Sequence, residues 1–183
     1  MALVNHQLQD TGYVLVRGFI PAQRATALAR QLAAHHASGP EVFDEQAPTS
    51  PCSYNFLPFV RLLVEKIPLV AQLCGEAVLP TYAYARSYRH GATLARHTDR
   101  DACEVSLTLH LRGDQPWDFG LQMFGQPPVA LQLAPGDALL YLGCQAEHWR
   151  EAYAGQDYQQ VFLHYVLASG QRAYAFFDRA KKT

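Results

Sequence analysis

The chain has 183 residues, of which 49% are hydrophobic, enough for one domain with a packed core. Charged residues make up only 17% and the formal net charge is −1, which argues against a strongly basic nucleic-acid-binding surface and, with this apolar content, against disorder. No apolar run approaches the ~20 residues that cross a bilayer as a helix. The four cysteines form no Cys-x-x-Cys pair and the start MALVNHQLQD lacks a signal-peptide apolar region, so reduced thiols in a cytoplasmic protein are expected, with no nucleic acid or membrane partner.

Gly12 to Phe19, GYVLVRGF, is β-branched and aromatic and predicts a strand. Pro21 suits a first helical turn, and Ala25, Leu28, Ala29 and Leu32 then recur at helical spacing until Gly39-Pro40. His35 and His36 fall in the last turn of that helix, where surface histidines are ordinary. Glu41 to Leu57 reads as a loop, of the kind that covers sites, with Tyr54-Asn55-Phe56 favoured as packing over ligand contact. Pro58 to Leu73 predicts a second, largely apolar helix divided at Pro68 and ended by Gly75.

From Leu79 the period changes to two. Tyr82, Tyr84, Arg86 and Tyr88 share one strand face, and Ala83, Ala85 and Ser87 the other. The small face suits packing against a helix; the large face with its single arginine suits a cavity wall. After a turn at Gly91, a short strand is expected to carry His97 and Asp99. EVSLTLHLRG then sets Val105, Leu107, Leu109 and Leu111 against Ser106, Thr108 and His110. Short segments follow at FGLQMF, VALQLAPGD, ALLYLG, EHWREAY and YQQVFLHYVLA, punctuated by turn residues that include Pro135-Gly136-Asp137 and Gly143. RAYAFFD is expected to be a last edge strand, and Arg179-Ala180-Lys181-Lys182-Thr183 a solvated basic tail. Helices first and about eight short strands after them predict a mainly β fold, a sandwich or barrel. The expected layout is a single domain, 1–183, with 1–78 flanking a core at 79–170.

The chemistry concentrates at His97-Thr98-Asp99 and the distant His148. In extended chain, positions i and i+2 point alike, so His97 and Asp99 can offer a nitrogen and an oxygen to one metal. Two histidines and a carboxylate form the facial triad that holds Fe(II) and leaves the opposite positions open. The same set can serve catalytic zinc, and His-x-Asp by itself is a weak signal.

RSYRHGATLARHTD resembles the Tyr-x-x-Gly…His-x-Asp segment of the Fe(II)- and 2-oxoglutarate-dependent dioxygenases, on their prolyl-hydroxylase-like side. LAPGDALLYLGCQAEHWREAYAGQDYQQVFLHYV resembles their second, histidine-bearing segment. The likeness runs from about Tyr82 to Val166. It implies a double-stranded β-helix, or jelly roll of the cupin kind, with N-terminal helices. It implies His97, Asp99 and His148 as catalytic iron ligands, with 2-oxoglutarate and O2 as co-substrates and ascorbate as a possible reductant. Succinate and CO2 would be released and an unactivated C–H bond hydroxylated. Halogenases of the superfamily lack the carboxylate, so Asp99 favours hydroxylation.

The chain departs from the family near Tyr158, where prolyl hydroxylases carry the cation for the far carboxylate of 2-oxoglutarate. Arg86 is the first replacement, because the first core strand lies beside the last in this fold. Arg150, two residues beyond His148, is second, and Arg100 third, with Glu104 as its alternative partner. Tyr88 and Tyr84 are expected to line the co-substrate pocket, and Thr108 and His110 to contact 2-oxoglutarate. His110 and His164 equally suit an ordinary core role, and Trp117 and Trp149 suit packing. The substrate is expected to be a small molecule or an amino-acid or peptide side chain. A cupin-like barrel that binds a metal or small ligand without turnover is the alternative function.

Overall fold

A computed structural model describes residues 7–179, so the tail beyond Arg179 and the first six residues lie outside the described residues. Helix α1 (Gln7–Thr11) leads into strand β1 (Tyr13–Val16) and helix α2 (Ala22–Ala37). Strand β2 (Cys52–Tyr54) and helices α3 (Leu57–Glu65) and α4 (Ile67–Cys74) follow. Then come β3 (Val78–Arg89), β4 (Leu94–His97), β5 (Val105–Gly113) and β6 (Phe119–Gln122). The last strands are β7 (Val129–Leu131), β8 (Ala138–Tyr141), β9 (Glu147–Arg150) and β10 (Asp157–Leu167).

Local chemistry accounts for the helix limits. Pro21 precedes α2 in extended conformation, and Ala25, Leu28, Ala29 and Leu32 are its buried stripe. Lys66 caps α3 and starts α4, and Pro68 sits in the first turn of α4, where its missing N–H leaves no gap. Gly75 ends α4 with φ 77°, a left-handed turn that glycine adopts freely.

The strands form two sheets, in the orders β1-β8-β5-β10-β3-β2 and β4-β9-β6-β7. All recorded pairings are antiparallel. Helices α2, α3 and α4 cover the outer face of the large sheet. There Ala83 and Ala85 of β3, Leu107, Leu109 and Leu111 of β5, and Val161 and Leu163 of β10 share one apolar core with Leu28, Leu32, Phe59 and Leu62. The opposite faces of the same strands look into the space between the sheets, so strand alternation divides packing from chemistry. This is the expected jelly roll, with eight strands after the helices among the described residues. No helix among the described residues is long and apolar enough to cross a membrane, and all four cysteines are free.

Several expectations need correction. RAYAFFD is not a strand: Ala173–Asp178 is a kinked 3-10 segment, with Phe177 and Asp178 at positive φ. The 41–57 loop contains β2, whose three residues are too few to show alternation. The strand carrying His97 stops there, and Asp99 is held beyond it by its N–H to Gly143 O, at 2.9 Å. His36 is half-buried rather than free on the surface, because its ring nitrogens meet Ser53 Oγ at 2.9 Å and Ser87 Oγ at 3.1 Å. His35 stacks on Phe56.

Candidate metal centre

β4 and β9 pair so that His97 lies directly opposite His148, with ring centroids 4.2 Å apart. Asp99 completes the set. Its Oδ1 is 3.7 Å from His97 Nε2 and 3.5 Å from His148 Nε2, and one ligand atom from each residue lies within 4.8 Å of the others. The tautomers follow from chemistry. His97 Nδ1 is 2.7 Å from Ala95 O and His148 Nδ1 is 3.0 Å from Ala146 O. A carbonyl only accepts, so each Nδ1 carries the proton and each Nε2 presents a lone pair to the centre. Such outer hydrogen bonds fix ring orientation at metal sites.

Asp99 is supported in turn. Ser106 Oγ donates to its Oδ2 at 2.6 Å, and His164 Nδ1 lies 3.0 Å from the same hydroxyl. Burial would push the Asp99 carboxyl up. The adjoining His148 ring, the nearby His164 ring and the Ser106 hydrogen bond outweigh it and hold the carboxyl at about 2. Burial lowers His97, and the His148 ring lowers it further, which keeps it a neutral ligand. Asp99, Cys103 and His164 form an overlapping cluster. Burial and the Asp99 charge raise the Cys103 thiol, which pairs with Tyr82 OH at 3.1 Å, so it is a poor ligand beside the two imidazoles.

A cavity of about 260 Å³ opens over the triad. Its walls include Tyr82, Tyr84 and Arg86 from β3, Phe162 and His164 from β10, Tyr141 from β8 and Tyr54 from β2. β3 does pair with β10, and Arg86 lies opposite Gln160. Arg86 is buried, and its Nη2 donates to Asp44 Oδ2 and to Gln46 Oε1, each at 2.6 Å. Tyr84 OH also donates to Asp44 Oδ2. Arg86 Nε has no partner among the described residues.

The other candidates lie elsewhere. Tyr88 is fully buried, with its OH 3.4 Å from Arg86 Nη1 and its ring edge-on to Trp117. Arg150 shares the His148 face but is sealed in the interior, donating to Trp117 O, Asp118 O and Gln160 Oε1. Gln160 also donates to Thr108. His110 lines a separate cleft with Arg17, Asp114 and Tyr158. Arg100 pairs with Asp178 rather than Glu104, which instead takes Arg172 and the Leu167 N–H. Trp117 is buried packing, and the Trp149 ring covers Gly120. The sequence reading missed Asp44, Gln46, Ser106, Tyr141 and the structural part of Gly143. Ser106 alone had a signal, its place on the polar face of β5.

No family model and no curated protein matches this chain. Solved structures do. A prolyl-4-hydroxylase from Pseudomonas putida superposes with a TM-score of 0.72 at 16% identity, covering 88% of this chain and 96% of the other. The non-heme α-ketoglutarate-dependent epimerase SnoN of nogalamycin biosynthesis gives 0.74 at 14% identity, over 90% and 80%. HygX from Streptomyces hygroscopicus, with nickel, 2-oxoglutarate and hygromycin B bound, gives 0.71 at 14% identity, over 92% and 88%. At these identities the likeness establishes architecture, and the chain has the prolyl-hydroxylase-like 2OG-Fe(II) oxygenase fold.

Proposed function

We propose that the protein is a non-haem Fe(II)- and 2-oxoglutarate-dependent oxygenase that hydroxylates a small molecule or an amino-acid side chain. One observation carries the reading: two imidazole Nε2 atoms and a carboxylate converge on one point, in the same cavity as a buried arginine already gripping a carboxylate. The donor set suits Fe(II). The Asp44 carboxylate on Arg86 and Tyr84 supports a wall suited to a carboxylate. Iron, 2-oxoglutarate and O2 would together supply the oxidising power for an unactivated C–H bond, releasing succinate and CO2.

The chain's own residues would do the rest. His97, Asp99 and His148 would hold the metal, with the two Nδ1–H bonds and Ser106 fixing their aim. Arg86 and Tyr84 would orient the distal carboxylate of the keto acid. Tyr141, packed 4.8 Å from the His148 ring, and Phe162 would keep water from the buried side. A cavity below the ~300–1,000 Å³ of drug-sized sites favours a small substrate or one inserted side chain. The second reading, a binding barrel without turnover, draws support from the Asp44–Arg86 pair, which leaves that cation satisfied within the chain.

Anaerobic Fe(II) loading followed by 2-oxoglutarate tests the choice. A weak visible charge-transfer band is expected in the wild type, absent in His97→Ala and weakened in Arg86→Ala. Bound iron without a band in the wild type would leave the binding barrel.

A further inference from the structure

The loop between α2 and β2 reaches into the cavity. Asp44 puts its carboxylate on Arg86 and Tyr84, and Gln46 spans from Arg86 to His97. Gln46 Nε2 lies 2.8 Å from His97 Nε2. The polarity of this network is forced. Arginine only donates, so the Gln46 oxygen faces Arg86 and its NH2 faces His97. His97 Nδ1 is the protonated nitrogen, so Nε2 accepts. The lone pair that takes the Gln46 N–H is therefore the one a metal needs. Likewise Arg86 Nη2, which holds Asp44, is the donor that an incoming carboxylate needs.

We infer that residues 41–47 form an internal strap that occupies both halves of the site, Gln46 at the metal-ligating nitrogen and Asp44 at the carboxylate anchor, and that metal and 2-oxoglutarate bind by displacing it. The inference rests on the oxygenase reading for the identity of the carboxylate ligand. Charge-for-charge exchange makes displacement by the co-substrate feasible: one carboxylate leaves the buried Arg86 guanidinium as another arrives.

The strap is built to move. Residues 41–46 have no regular secondary structure, and all but Asp44 among them are exposed, including Val42 and Phe43. Outside the cavity its ties are an exposed Arg89–Glu41 pair, the Cys52 N–H to Val42 O bond and, at its far end, buried Ala47, whose carbonyl takes the Ser50 N–H. The Asp44 Oδ1 bond to Ala47 N is internal to the segment and can travel with it. Apart from Ala47, little apolar burial opposes its release. Because one segment blocks both ligands, releasing it for either favours the other.

The test uses Ni(II) as an inert metal and the full chain as wild type, Asp44→Ala and Gln46→Ala. Calorimetry would measure Ni(II) alone, then 2-oxoglutarate on the Ni(II)-loaded protein, with hydrogen exchange followed across 41–50. Gln46→Ala should bind Ni(II) roughly tenfold more tightly, and Asp44→Ala should bind 2-oxoglutarate tighter by a similar factor, as expected when a competing state is removed. Exchange across 41–50 should rise when wild type takes up Ni(II) and 2-oxoglutarate. Equal or weaker binding by the variants, or slower exchange in 41–50 on loading, overturns the strap while leaving the oxygenase reading intact. If all three proteins take Ni(II) and none binds 2-oxoglutarate, the oxygenase reading falls and takes the carboxylate half of the inference with it.

Discussion

At the residue scale, Gly143 shows how the triad is set. Its carbonyl takes the Asp99 N–H and its own N–H goes to Glu104 O, so it sits directly behind the carboxylate ligand. A Cβ there would collide with Cys103 O, Asp99 Oδ2 and Ser106 Oγ. Two of those three atoms belong to the Ser106–Asp99 hydrogen bond, which orients the ligand. Gly143→Ala should therefore weaken Ni(II) binding by about 10–100-fold, the range for disturbing an outer support of a metal ligand. Calorimetry would read it, and an unchanged circular-dichroism spectrum would confirm that the fold survives. An affinity equal to wild type would mean that Asp99 is aimed by something else. The triad itself was legible in sequence because its residue types and order are chemically distinctive. Gly143 was legible only as a turn, since nothing in one sequence distinguishes a glycine needed for space from one needed for bending. Asp44 and Gln46 were illegible for a related reason: an irregular loop has no periodicity from which to infer where its side chains point.

At the element scale, β9 carries the chemistry on one face and depends on a glycine for the other. His148 and Arg150 point between the sheets; Trp149 points out and lies over Gly120, its partner on β6. Arg96 of β4 stacks on the same indole, with its guanidinium carbon 3.8 Å from the ring centroid. The small sheet is thus clamped from outside by a cation–π layer whose floor must be a residue without a side chain. Gly120→Ala should force the indole away and cost about 1–3 kcal/mol of stability, as for other overpacked sites. Urea unfolding would measure it, and an unchanged midpoint would mean that Trp149 can move freely. Alternation made β3 and β5 readable in advance, including which face of β3 meets the helices. It failed for β2, with three residues, and for Ala173–Asp178, whose aromatic content mimics a strand. That segment is instead secured by polar contacts from Asp178 to Tyr54 OH at 2.7 Å and Arg100 Nη1 at 2.6 Å. Partners so distant in the chain leave no local pattern.

At the scale of the whole molecule, folding buries a histidine that has little use for its charge. His110 lies on the inward face of β5, almost wholly buried, with Nδ1 lacking a partner among the described residues. Burial lowers its pKa, the Arg150 guanidinium lowers it further, and only Asp137 opposes them, leaving it at about 4. An unfolded histidine titrates near ~6.5. Below that value the unfolded chain binds the proton that the folded one refuses, so stability is full above pH 6.5 and declines as pH falls toward 4. From this group alone the loss between pH 7 and pH 5 is about 2 kcal/mol. His164 is lowered chiefly by burial and pulls in the same direction. In His110→Phe the aromatic volume stays and the titration goes. Its urea-derived stability should therefore fall about 2 kcal/mol less than wild type between pH 7 and pH 5, with the His164 contribution still present. Parallel pH profiles for the two proteins would mean that His110 is protonated in the fold. A counter-charge would then have to hold the proton there, and the carboxylate whose charge already acts on this ring is Asp137.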